Sequence, residues 1–498
     1  MNIRRPVSAV VAVVLALAAA GCGTFDPQRA RRDQVDAFRA DLAAKAEALL
    51  AEPLSLDACV RIAMTNSYAA RKADLDQELA RLGRNASFSA FLPQVSVASG
   101  YTSRDYANVM GATSAGDYVT GPKRDSSTTL SAGLPVFMPS TWFLYAAARH
   151  GYAAAAVAAH YVRQSLVLQV TSQYCDILVQ QDTIAALRAQ LDAAENLSER
   201  LSGLAGEGFA ADWERGQADL QAASRRTELA HAERQLALLR AQLLQTLGLP
   251  PDAEIRLSGD LGPLDLPEAS TADRVLQALA THPQLSIADR QVVMKEHAVR
   301  QAFCDFLPTL SISATHVWGG EDLALEAVGW QTGFSGAWAL FKGFANVEKY
   351  KSAKVERTQS ELERENTFLS VIVGVISAEN ALRDATESLV LRQQAYDVLA
   401  AKYADRAARA DEGLLPLSDA LDARAEMDLA QVAMVRSRYQ ERIAAANLQL
   451  AMGATLLPDE QAGEPADGQP AGDAEADAVP EGQASEAPAQ PADGSPAP

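Results

Sequence analysis

The sequence predicts a mainly α-helical chain with a smaller β part, built from two copies of one unit. Three observations predict it. Of 498 residues, 48% are apolar but only 6% aromatic, the signature of Ala- and Leu-rich helices rather than sandwich cores. Phe91-Leu92-Pro93 recurs as Phe306-Leu307-Pro308, 215 positions later, and in the same register Ala63, Ala73 and Asp74 fall on Ala278, Ala288 and Asp289. Gly208 and Gly413, and Gly248 and Gly453, also correspond, at a spacing of 205. About ten residues are therefore extra between Pro93 and Gly208. A unit of roughly 200 residues is too long for a solenoid repeat and makes two structural halves.

Before the first half, Arg4 and Arg5 precede an apolar run from Val7 to Ala20, the layout of a secretory signal and too short for a spanning helix. Its end, Leu17-Ala18-Ala19-Ala20-Gly21-Cys22, resembles a bacterial lipoprotein signal, with Ala19 where the family usually has Leu. The resemblance implies lipidation at Cys22, and Gly23 in place of Asp implies no retention in the inner membrane; an ordinary secretory signal is the alternative. Residues 1–21 then read as signal peptide and 22–53 as a lipidated linker.

The halves run over 54–260 and 261–457. Each opens on helix, Leu56 to Phe88 with Leu75, Leu79 and Leu82 along one side, and Val275 to Phe303. Pro93 and Pro308 then mark a change of element, because proline lacks the backbone donor and disfavours helix in the residue before it. Period-two alternation follows: Val95 and Val97, then Thr128 to Val136, in the first half; Leu310, Ile312 and Ala314, then Phe334 to Leu340, in the second. These predict β-hairpins at about 94–137 and 309–340, the first with a long Gly-, Asn- and Asp-rich loop from about Asp105 to Asp125 that accounts for the extra residues.

After each hairpin the apolar spacing returns to that of coiled coils. Leu187, Leu191, Ala194, Leu197, Leu201 and Leu204 form one stripe, no proline interrupts Tyr145 to Leu204, and a reversal at Gly206-Glu207-Gly208 leads into a helix ending near Leu247. The second half repeats this at about 344–452, turning at Gly413. Sixty helical residues reach about 90 Å, several times a bilayer core of about 30 Å, and carry charges throughout. Four strands cannot close a barrel, since about eight is the smallest number that does, and an open edge in lipid leaves backbone groups unsatisfied. The hairpins therefore call for other copies of the chain.

The order of these elements, with Leu340-Phe341-Lys342-Gly343-Phe344 after the second hairpin and Gly413-Leu414-Leu415-Pro416-Leu417-Ser418-Asp419-Ala420-Leu421-Asp422-Ala423 at the second tip, resembles the outer-membrane efflux channel family typified by TolC, over about Leu54 to Leu457. The resemblance implies a homotrimer whose twelve strands close one outer-membrane barrel and whose helical hairpins form an α-barrel tunnel through the periplasm. It implies a passive exit duct for a tripartite efflux or type I secretion system, gated like an iris, with an inner-membrane pump of RND or ABC type. A periplasmic membrane-fusion adaptor would dock at the tips, Gly206, Gly208, Gly413 and Leu414. Asp419 and Asp422 match a pair of aspartates that ring the entrance; six carboxylates in a trimer would favour cations and raise some of one another's pKa values. Glu214 and Gln217 stand there in the first half, and without the family the two aspartates read as solvated neighbours one turn apart.

Other classes fit less well. There is no phosphate loop, G-x-S-x-G or H-E-x-x-H, and His150, His160, His231, His282, His297 and His316 never approach ligand spacing, so no enzyme, cofactor or metal centre is predicted. Cys59, Cys175 and Cys304 read as lone buried thiols. The formal charge is −19, with ten acidic residues and no Lys or Arg in Asp459–Pro498; residues 458–498 read as a disordered, solvated tail, and the acidic balance argues against nucleic acid. The competing expectation is a periplasmic adaptor or coiled-coil scaffold lipoprotein.

Overall fold

The computed structural model describes residues 26–33, 35, 49–50, 52–103, 105, 108–113, 116–121, 124–259, 269–319 and 329–454. Cys22, the signal segment and the acidic tail lie outside the described residues.

The opening helical segment of each half is two helices rather than the single run expected. In the first, α1 (Leu56–Asn66) and α2 (Tyr68–Ser89) meet at Ser67, whose N–H closes α1 on the Ala63 carbonyl at 2.9 Å while its Oγ accepts from the Ala69 N–H at 3.3 Å. One residue thus caps two helices at once. Across the chain, β1 (Gln94–Ser103), β2 (Asn108–Thr113), β3 (Gly116–Gly121) and β4 (Arg124–Phe137) follow, then the helices α3 (Pro139–Gly206) and α4 (Asp212–Leu247).

The second half has α5 (Thr271–Thr281), α6 (Pro283–Cys304), β5 (Thr309–Gly319), β6 (Gly329–Ala337), α7 (Ala345–Asp411) and α8 (Leu417–Ala451). Here His282 stands where Ser67 stands in the first half. It is extended (φ −63°, ψ 124°), as a residue before proline prefers, its N–H reaches the Ala278 carbonyl at 2.8 Å, and its Nδ1 accepts from the Gln284 N–H at 3.2 Å.

The expected Gly-rich loop of the first hairpin contains strands β2 and β3, which pair with each other in a two-stranded sheet of their own. Alternation in that segment is broken by irregular register between Asn108 and Val109 and between Met110 and Ala112, so period two does not show. In the second half the last strand stops at Ala337 rather than Leu340.

The corners after α2 and α6 close alike. Phe91 and Leu92 donate to Phe88 and Ser89, and Phe306 and Leu307 to Phe303 and Cys304, all at 3.0–3.1 Å, before Pro93 and Pro308 release the chain into strand. Rings lock each corner onto the adjacent long helix: Phe88 and Tyr145 centroids are 5.6 Å apart, Phe303 and Tyr350 6.2 Å. Farther down, Arg163 pairs with Asp74 and Arg364 with Asp289. The helix starts differ: Pro139 occupies the first turn of α3, where its missing N–H costs nothing, whereas α7 follows Gly343 (φ 59°) and Phe344 (φ 65°), both left-handed.

Two buried clusters tie short helices to long ones. Ala278, Leu285, Val371, Val375, Leu448 and Met452 form one. In the first half Ala63, Ala70, Leu166, Val170, Leu243 and Leu247 are buried at the corresponding positions. Tyr174 is fully buried there; its hydroxyl donates to the Leu54 carbonyl at 3.1 Å and accepts from the Gly259 N–H at 3.3 Å, fastening Leu54 beside Leu257. At 68 and 67 residues, α3 and α7 each run about 100 Å.

Candidate transport path: the sheet and the helical tips

Four strands form one antiparallel sheet in the order β1-β4-β5-β6, so β4 pairing with β5 joins the two halves and, among the described residues, β1 and β6 are left as free edges. The register fixes which residues share a face. Val97 opposes Leu130, Leu134 opposes Ile312, and Ile312 opposes Phe334, giving one continuous apolar face. On the other face small and hydroxyl residues pair, with Ser96 against Ser131 and Ser311 against Ser335 at 2.8 Å. Aromatic residues mark both ends. Tyr101, Trp318 and Trp330 stand at the end far from the helices, Trp142, Trp338 and Phe341 at the near end, and all are exposed. Pro93 and Pro308 lie where helix gives way to this sheet.

At the opposite end of the long helices are two turns of one design. Gly206 is the last residue of α3, Gly208 is left-handed (φ 83°), and the Phe209 N–H reaches back to the Leu204 carbonyl at 2.8 Å; Gly413 (φ 73°) and Leu414 N–H to Arg409 carbonyl, also 2.8 Å, repeat it. These are left-handed helix ends that satisfy otherwise orphaned carbonyls. The residue after such a glycine usually folds back on its own helix, yet Phe209 is 79% and Leu414 69% exposed. Trp213, on the first turn of α4, is 68% exposed. Sequence reading did not single out Phe209 or Trp213, although an aromatic residue directly after the turn glycine was a visible signal.

Asp419 and Asp422 sit on the first two turns of α8. Asp419 lies 3.5 Å from the Arg406 guanidinium of α7, which sequence reading missed, and Asp422 is exposed and borders a small cavity between α8, α3 and α4. The first-half counterpart Glu214 is engaged differently: its carboxylate accepts from the Ala211 N–H at 2.9 Å and caps α4.

The histidines are spread over the chain, but His150 and His297, distant in sequence, stack with centroids 5.5 Å apart. Among the described residues no group of three or more His, Cys, Asp or Glu is placed to hold a metal. Cys59, Cys175 and Cys304 are buried free thiols, and burial pushes Cys59 and Cys175 up to about 12. No described helix is long and apolar enough to cross a membrane.

Against known proteins, a search of curated sequences finds no significant match. Among solved structures the fold is similar to the CmeC outer membrane channel of Campylobacter jejuni (TM-score 0.68, 18% identity, covering 80% of this chain and 85% of that one). It is similar also to the outer membrane protein VceC of Vibrio cholerae (0.65, 17%, 80% and 96%) and the open state of the MtrE outer membrane channel of Neisseria gonorrhoeae (0.64, 18%, 80% and 89%). The family model for outer membrane efflux proteins matches residues 59–249 and 275–454, which together span most of the chain and take in both long helical hairpins and the four-stranded sheet. The chain belongs to the outer membrane efflux protein family.

Proposed function

We propose that three copies of this chain form a passive duct from periplasm to cell exterior, the exit of a tripartite efflux or type I secretion system, opening and closing at its periplasmic end. The observation that carries this reading is the four-stranded sheet with one apolar face and two unpaired edges, fixed to helices of about 100 Å. Strands of 9 to 14 residues suit a bilayer crossed at a tilt, and the two aromatic bands suit its two interfaces. With β6 of each chain paired to β1 of the next, twelve strands close and no backbone edge meets lipid. The apolar face would then meet lipid and the serine-rich face the lumen.

The exposed apolar residues of the helical part fit the same assembly. Leu75, Leu79 and Leu82 on α2 and Val355, Leu362 and Leu369 on α7 have no cover within one chain. An adaptor would dock on the tips around Gly206, Gly208, Gly413 and Leu414, below an inner-membrane pump, and Asp419 and Asp422 would ring the entrance. With the family in hand, the duct takes precedence over the adaptor or scaffold reading.

Lipidation of Cys22 would add an anchor in the outer membrane. Leu54 is fastened to Tyr174, which stands 35 residues along α3 from Pro139, about 52 Å from the sheet end. The 32 residues from Cys22 to Leu54 reach roughly 105 Å when extended, ample for the span.

The test is reconstitution: the purified protein is expected to conduct ions across planar bilayers and to fractionate with the outer membrane, and a monomeric, non-conducting product would overturn the reading. Asp419→Ala with Asp422→Ala is expected to weaken block by multivalent cations; unchanged block would remove the entrance ring. Replacing Cys22 by Ser is expected to abolish lipid labelling.

A further inference from the structure

Between the first and second helical hairpins, about 15 residues above each tip, lies a small, partly open space of about 30 Å³. Gln190 of α3 and Asp428 of α8 border it, 4% and 8% exposed. Both amide atoms of Gln190 and the Oδ2 of Asp428 are buried without a hydrogen-bond partner. Three orphaned polar atoms around one void is a costly arrangement, since each buried donor or acceptor left unmade forfeits its full hydration.

The lining identifies what belongs there. Asp422, Asp428, Arg225 and Arg424 line it as well, with Arg424 4.0 Å from the Asp428 carboxylate and Arg225 paired with Glu228 at 2.8 Å, so both signs of charge border the space. It is large enough to admit water, which needs two to four polar partners, and the orphaned atoms supply one donor and two acceptors. We propose that one ordered water occupies this cavity, accepting from Gln190 Nε2 and donating to Gln190 Oε1 or Asp428 Oδ2. It forms a hydrated joint between the two helical hairpins of one chain.

A joint of this kind has a mechanical consequence, which rests on the channel reading above. Hairpins held by a direct ion pair or a dry contact must break it to slide, whereas a water-bridged pair exchanges one water for another and keeps its polar groups satisfied throughout. The joint lies at the level where the helices lead down to the tips, so it would lower the resistance to opening there.

The test is a double-mutant cycle on the purified full chain in detergent. Gln190→Leu and Asp428→Leu are each expected to lower the apparent Tm by a few degrees, because each strands the water and the remaining group, while the double variant regains the wild-type Tm or exceeds it. Asp428→Asn, which keeps an acceptor, is expected to stay near wild type. Single effects that simply add would overturn the joint. A high-resolution map is expected to show one density peak within hydrogen-bonding distance of both side chains; an empty void or a direct Gln190–Asp428 bond would also overturn it. In planar bilayers the double variant is expected to open about tenfold less often, the equivalent of one net hydrogen bond. Wild-type protein that fails to conduct at all would count against the channel reading and leave the Tm cycle to judge the joint.

Discussion

Gly453 lies directly against the backbone of His282: a Cβ on Gly453 would stand 2.9 Å from the His282 Cα, closer than real contacts allow. The other half has the same joint, with a Cβ on Gly248 coming within 2.5 Å of the Asn66 carbonyl oxygen, one residue before Ser67. Each long hairpin thus ends on a left-handed glycine (φ 71° and 72°) pressed into the break between the two short helices of its own half. The break and the glycine form one device, made twice.

From this contact, Gly453→Ala and Gly248→Ala are each expected to destabilise the fold by about 2 kcal/mol or more, from left-handed strain and backbone collision together. Gly208→Ala carries the strain alone, since nothing lies within 4 Å of its Cβ position, and is expected to cost only about 1 kcal/mol. Comparing the apparent Tm of the three variants checks the difference.

His282 gives the second joint a pH dependence that Ser67 denies the first. Its Nδ1 must stay unprotonated to accept from Gln284, and burial holds its pKa below the usual histidine value. A base with a depressed folded-state pKa contributes stability that is fully present above about pH 6.5 and is lost as pH falls through the folded pKa. His282→Ser is expected to keep the cap and to flatten the stability profile below pH 6.5, as read by thermal unfolding across pH.

Arg406 offsets part of the charge of Asp419 within each chain. Removing it by Arg406→Ala is expected to strengthen block of the channel by multivalent cations up to roughly fivefold, since a half-exposed pair contributes at most about 1 kcal/mol. Block titrations on single channels check this, and unchanged block would place Arg406 away from the conducting path.

The two tips are alike in backbone and unequal in side chain: Leu414 and Ser418 stand where the first tip has Phe209 and Trp213. Exposed aromatic residues dominate binding at small interfaces, where truncating one costs about 2 kcal/mol. Phe209→Ala with Trp213→Ala is therefore expected to reduce crosslinked adaptor recovery far more than Leu414→Ala, measured by copurification from cells that express each variant.

The helix and strand segments were legible in the sequence because they follow simple periods, and the corners because Pro93 and Pro308 interrupt them. The break at Ser67 was not, since the apolar period runs on through it and the decisive contact comes from Gly248, far away in sequence; the break at His282 had a visible signal in Pro283 that the long apolar period masked. Strands β2 and β3 escaped because irregular register hides period two. At the candidate site the tip glycines could be named from the repeat and Asp419 and Asp422 only from the resemblance to the family, whereas Arg406, Gln190 and Asp428 acquire meaning only when α7, α8 and α3 come side by side.

The central claim is that this sheet is completed by other chains, and crosslinking its two edges tests that most directly. One cysteine in β1, at Ser96 or Ala98, is combined with one in β6, at Gly333 or Ser335, against native thiols at Cys59, Cys175 and Cys304 that are buried. Oxidation in intact outer membranes is predicted to give covalent species of one, two and three chains, ending at three. No crosslinked species, or a ladder that stops at two chains or runs past three, would contradict the closed three-chain barrel.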